Sequence, residues 1–102
     1  MLRMLTILWE FTVPAERRSD FEQVYNSTGA WAQLFAKAEG YGGTTLLRDP
    51  AIPGRYLTLD RWRAIEDFDR FKQRFAAEYK ALDHQCEALT SDERLIGRFE
   101  EV

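Results

Sequence analysis

The feature that most constrains this chain is a change of apolar period at Trp62. Through Arg55-Tyr-Leu-Thr-Leu-Asp-Arg-Trp62 the residues are β-formers and flat-surface apolar side chains, introduced by the turn pair Pro53-Gly54. Beyond Trp62 the residues Phe68, Phe71, Phe75, Tyr79, Leu82, Cys86 and Leu89 recur every three or four positions, which is the spacing of one helix face. A strand therefore passes directly into a long amphipathic helix, with the junction at Trp62.

The first strand, about Leu2 to Val13, places Leu5, Ile7, Trp9, Phe11 and Val13 on one face and Leu2, Met4, Thr6, Leu8 and Glu10 on the other. Both faces are largely apolar. A sheet with helices on one side and water on the other shows apolar–polar alternation, so the second face requires another cover, and a partner sheet supplies it. The pattern predicts a homodimer.

Pro14 opens a helix, since its missing N–H is one the first turn leaves unpaired, and Glu16 suits the helix dipole there. Phe21, Val24, Tyr25 and Thr28 keep helical spacing, and Trp31, Leu34, Phe35 and Ala38 resume it after Gly29. The run Asn26-Ser27-Thr28-Gly29 predicts a bend or break between them, and Gly40 the helix end. Tyr41–Arg48 reads as a second strand, joined by a 49–54 hairpin to the third. Thr90-Ser91-Asp92 stops the last helix, and Glu93–Glu100 reads as a fourth strand with Leu95, Gly97 and Phe99 on one face. The order is βαββαβ, an α+β chain with an antiparallel sheet, expected as one domain over residues 1–102.

With 45% hydrophobic and 14% aromatic residues the chain can bury a core, and 30% charged residues keep it in solution. Seventeen acidic against fourteen basic side chains give a net charge of −3 with no basic stripe, so no nucleic-acid footprint is expected. The single cysteine, Cys86, excludes an intrachain disulfide. No secretory leader and no membrane-spanning run is legible, so the expectation is a cytoplasmic protein without membrane contact. His84 and Cys86 point in different directions around one helix and make no zinc set, so no metal is expected.

Several stretches resemble the antibiotic biosynthesis monooxygenase family. They are the strand Met4-Leu-Thr-Ile-Leu-Trp-Glu-Phe11, the helix lead Pro14-Ala-Glu-Arg-Arg18, Gly40-Tyr41-Gly-Gly-Thr44, the strand ending in Trp62, and the helix carrying Phe68. The shared order, across nearly the whole chain, carries the resemblance more than any one motif. It implies a ferredoxin-like fold whose sheets pair into a dimeric α+β barrel. Known members include cofactor-independent quinone-forming oxygenases and haem-degrading enzymes, so fold alone does not assign the chemistry. The haem-degrading members use an Asn on the first strand and a His on the second helix; here Trp9 and Glu10, and Phe71 and Lys72, stand in those regions. Haem degradation is therefore not expected.

The candidate site residues follow from chemistry and position. Trp62, at a strand end, is the best single candidate for stacking on a planar ring and is expected in the ligand pocket; the bland alternative is a packing Trp. Glu10, Asp60 and Arg61 are charges within strands, and each needs a partner or solvent. Cross-strand pairing explains them; alternatively Glu10 or Asp60 abstracts a phenolic proton and Arg61 or Arg48 holds the oxyanion. Tyr25, Tyr56, Trp31 and Trp9 can line an aromatic pocket or serve as core. His84 reads as exposed and Cys86 as buried filler. The resemblance then implies an oxygenase acting on a small aromatic or polyphenolic compound without cofactor; the alternative is a non-catalytic dimer that binds a small aromatic ligand. Which alternate residues of the third strand face the cavity decides whether Asp60 belongs to the site.

Overall fold

The computed structural model describes residues 4–102. Leu2, assigned above to the first strand, lies outside the described residues. Four strands form one antiparallel sheet in the order β2-β3-β1-β4, with β1 at Leu5–Thr12, β2 at Tyr41–Arg48, β3 at Arg55–Trp62 and β4 at Asp92–Glu100. Helices α1 (Arg18–Tyr25), α2 (Ala30–Phe35), α3 (Ile65–Arg74) and α4 (Ala76–Cys86) complete a ferredoxin-like α+β fold. Among the described residues no helix is long and apolar enough to cross a membrane.

The first helical region breaks where its turn residues stand. Asn26 Oδ1 accepts the Thr28 N–H at 2.9 Å and the Thr28 hydroxyl at 3.2 Å, drawing the backbone out of the helix. Pro14 leads only a short 3-10 turn, Ala15–Arg17, ahead of α1. Helix α2 ends at Phe35, five residues before the expected stop at Gly40. Gly40 instead allows a close approach to α3. Its φ of +88° suits glycine, and a Cβ there would lie 2.5 Å from the Asp67 side chain. The long apolar stripe after Trp62 is also divided, because Phe75 (φ −110°, ψ 31°) leaves helical geometry between α3 and α4.

Pairing register sorts the strands into two faces. Leu5, Ile7, Trp9 and Phe11 of β1 lie opposite Trp62, Asp60, Thr58 and Tyr56 of β3, and this set faces the helices. Trp62, Tyr56, Phe21 and Phe71 are fully buried there. The other face carries Leu8, Glu10, Leu57, Leu59, Arg61 and Leu47. In β4 the expected alternation fails: the register with β1 shifts between Leu8 and Trp9, so Trp9 pairs with Leu95 and Leu8 with Gly97. Ile96 is the extra bulge residue, and Leu95 consequently lies on the opposite face from Gly97 and Phe99.

Candidate active site

Between the helices and the sheet is a cavity of about 70 Å³. Its aromatic wall consists of Trp9 and Phe11 from β1, Tyr25 from α1, Trp31 and Phe35 from α2, and Tyr79 from α4. These rings hold one another: Phe11 meets Tyr25 edge-on at 5.0 Å, and Trp31 meets Tyr79 edge-on at 5.1 Å. The polar lining is Thr44, Thr58 and Asp60 from the sheet, with Asp83 and Glu93 as its exposed rim. Among the described residues, no Lys, Arg or His lines it.

Asp60 stands out electrostatically. It is only 9% exposed, and its Oδ1 accepts the Thr44 hydroxyl at 2.7 Å. The Tyr41 and Thr44 hydroxyl oxygens are 2.6 Å apart. Burial pushes the Asp60 carboxyl up to about 6, against the opposing pull of the Thr44 hydrogen bond and the Arg61 charge. A carboxyl poised there can accept a proton near neutral pH and return it. Burial also raises Tyr25 and, with Asp83, Glu93 and Asp60 adding to it, Tyr79; both rings therefore present neutral hydroxyls. Glu93 is raised by burial and then by Asp83 and Asp92, so the rim is acidic and lacks a compensating cation among the described residues. The Trp31 indole N–H is buried with no acceptor among the described residues.

The structure separates residues that the sequence grouped. Trp9, Tyr25, Trp31 and Asp60 meet at the cavity. Trp62 does not border it. It shares the helix-side face but sits at the strand end, enclosed by Phe35, Tyr41, Phe68 and Phe71 at ring distances of 5.4–5.6 Å. Tyr56 is likewise enclosed, and its hydroxyl donates to Glu22. Glu10 and Arg61 project from the opposite side of the sheet, because strand neighbours alternate. Glu10 accepts from Arg55 at 2.6 Å and Arg94 at 2.7 Å, and these guanidinium partners lower its pKa. Arg61 donates to Thr45 at 3.2 Å, while Arg48 stands 3.5 Å from Glu22. His84 is exposed beside Glu87, and Cys86 is buried with its thiol raised by burial. Sequence reading placed Thr58 with Asp60 but missed Thr44. Thr58 shares Asp60's parity on β3, whereas Thr44 needs the β2–β3 register that sets it opposite Asp60.

A ferredoxin-like α+β sheet backed by helices thus encloses an aromatic, acid-bearing cavity. The family model described as antibiotic biosynthesis monooxygenase matches residues 4–83, and the chain belongs to that family. Among solved structures it is similar to SnoaB, a cofactor-independent oxygenase from Streptomyces nogalater. The two share 26% identity and a TM-score of 0.62 over 98% of this chain and 94% of that one. A protein named for the same family from Bordetella bronchiseptica shares the fold at 21% identity and a TM-score of 0.76, covering 98% of each chain. PA3566 from Pseudomonas aeruginosa does so at 13% identity and 0.70, over 100% of this chain and 96% of that one. No curated protein matches the chain.

Proposed function

We propose that this chain is a homodimeric oxygenase that oxidises a small aromatic or polyphenolic compound without metal or flavin, using Asp60 as general base. The observation that carries this reading is the lone buried carboxyl on the floor of an aromatic cavity. A phenol seated against Trp9, Trp31 and Tyr79 donates its hydroxyl proton to Asp60, and the electron-rich phenolate reacts with dioxygen. One ring C–H becomes a carbonyl: phenol and O₂ give quinone and water, the substrate supplying all the electrons. Proton transfer moves the negative charge from Asp60 to the ring without adding a second one. At about 70 Å³ the cavity is far smaller than the roughly 300–1,000 Å³ of drug-sized ligand pockets, and it admits the edge of one ring unless Trp9 and Tyr79 move outward. The likeness to SnoaB, a cofactor-independent oxygenase, supports the same chemistry.

Oxygen uptake with catechol, hydroquinone and 1-naphthol tests it. Wild-type protein is expected to consume oxygen with at least one of them, and Asp60→Asn to lose about 100-fold or more, the usual contribution of a general base. Undiminished uptake by the variant contradicts the assignment. A second reading, a non-catalytic dimer that binds an aromatic ligand, is favoured by the position of Arg48 and Arg61 away from the cavity, which leaves no cation among the described residues to hold an oxyanion. Under that reading the phenols quench Trp9 and Trp31 fluorescence with no oxygen uptake.

The homodimer rests on the sheet's outer face, where Leu8, Leu57 and Leu59 are only partly covered and Leu47 and Phe99 are 45% and 51% exposed. A second sheet over this face buries about 1,600 Å² in total, the usual size of a stable interface. Sedimentation at micromolar concentration should give a dimer, and Leu59→Glu a monomer; a wild-type monomer removes this part of the proposal.

A further inference from the structure

We propose that Thr44 and Tyr41 serve Asp60 as positioning residues, forming a hydroxyl relay that holds its carboxyl and conducts its proton away from the cavity through β2. The inference rests on Asp60 acting as the base. Its own support is geometric. Thr44 Oγ1 lies 2.7 Å from Asp60 Oδ1 and 2.6 Å from the Tyr41 hydroxyl, so three oxygens form one unbroken hydrogen-bonded line. Thr44 is buried on the cavity wall, whereas Tyr41 is only half-buried and does not border the cavity. The line therefore starts at the reacting centre and ends outside it.

Hydroxyl valence fixes its direction in each state. Thr44 has one O–H. With Asp60 ionised, that proton points to the carboxylate, and the remaining Thr44 lone pairs accept the Tyr41 O–H. With Asp60 protonated, the order reverses: Asp60 donates to Thr44, Thr44 to Tyr41, and the Tyr41 O–H turns outward. A proton leaves when the Asp60 O–H breaks as a new Thr44 O–H forms, Thr44's proton passes to Tyr41, and Tyr41's passes to water. Each hydroxyl gains one proton and loses one, and nothing is oxidised. Phenol and O₂ give quinone and water with no net proton released, so the proton parked outside returns by the reverse shifts when the departing oxygen leaves as water. The line serves once substrate is seated, because a ring edge in a cavity of about 70 Å³ leaves little room for water to carry the proton through the mouth. The other titratable groups on the cavity wall are Tyr25 on α1, Tyr79 and Asp83 on α4 and Glu93 on β4, with Arg61 acting from across the sheet. Among the described residues, none of them donates a hydrogen bond to Asp60, and Thr44 does.

The test titrates Asp60 by carboxyl ¹³C NMR in the intact protein, with Asp60→Asn identifying its signal. Thr44→Val removes the hydroxyl and should raise the titration midpoint by about one pH unit, the scale of a hydrogen bond to a charged group; Thr44→Ser should restore it. Tyr41→Phe, which leaves every atom touching Asp60 in place, should raise it by a smaller but measurable amount. With catechol as the oxygen-uptake probe, Tyr41→Phe should lower kcat severalfold and leave KM unchanged. An Asp60 titration unmoved by both Thr44→Val and Tyr41→Phe overturns the relay, and so does a wild-type kcat in Tyr41→Phe. Failure of the base assignment is a separate result: Asp60→Asn would retain turnover.

Discussion

Asp60 and Glu10 are carboxylates on adjacent strands of one sheet, and they behave in opposite ways because they face opposite sides of it. Asp60 faces the helices, accepts from one hydroxyl with no cation on its side of the sheet among the cavity's lining residues, and is pushed up to about 6. Glu10 faces outward, is held by Arg55 and Arg94, and is lowered. A residue of the wrong parity becomes a structural ion pair, and one of the right parity becomes a poised acid–base group. The same division separates the two sets of apolar residues: the inner rings close a core and cavity within one chain, while the outer leucines remain partly uncovered.

The largest expected effect tests how sharply the inner face is divided between core and cavity. Trp62 is fully buried among four aromatic rings and does not border the cavity. Trp62→Ala should therefore cost ~3–5 kcal/mol in denaturant unfolding, the range for a buried large aromatic. Catechol binding to the folded fraction should change little. A mutant of near-normal stability that fails to bind would return Trp62 to the site and redraw the cavity.

The next effect has the opposite sign. Asp60 has a folded pKa raised from 3.8 to about 6, so its ionisation destabilises the fold by ~3 kcal/mol at most. That penalty is absent below pH 3.8, grows as pH rises towards 6, and is complete above it. Asp60→Asn should therefore be ~1–3 kcal/mol more stable than wild type at pH 7, with the advantage gone near pH 4. Equal stabilities at pH 7 would mean that the carboxylate is solvated and not poised.

Glu10→Gln should give the smallest change, a modest loss of stability that shrinks at high salt because Arg55 and Arg94 are both substantially exposed. Since the folded pKa of Glu10 is lowered, its contribution is present above the unfolded value of 4.5 and fades as pH falls through the folded one. Oxygen uptake should be unchanged. A large loss of uptake would show that the outer face takes part in the chemistry.

Much of this division was legible in the sequence. The alternation of Tyr56, Thr58, Asp60 and Trp62 assigns them to one face, and the break at Asn26–Gly29 follows from its cap and turn residues. Sequence did not show how neighbouring strands align, and that alignment sets Thr44 opposite Asp60 and leaves Arg61 opposite Thr6 on the other side. Parity alone already separated Glu10 from Trp9 and Arg61 from Asp60. The β4 faces were misread for another reason: one inserted residue, Ile96, reverses every later side chain, and nothing in Arg94-Leu-Ile-Gly97 marks the bulge beyond its glycine.

The most direct measurement titrates both carboxylates in one sample labelled with ¹³C at Asp and Glu carboxyls. Asp60 should titrate near 6 and Glu10 below 4.5. Asp60 titrating at its ordinary 3.8 would contradict a poised base in the cavity.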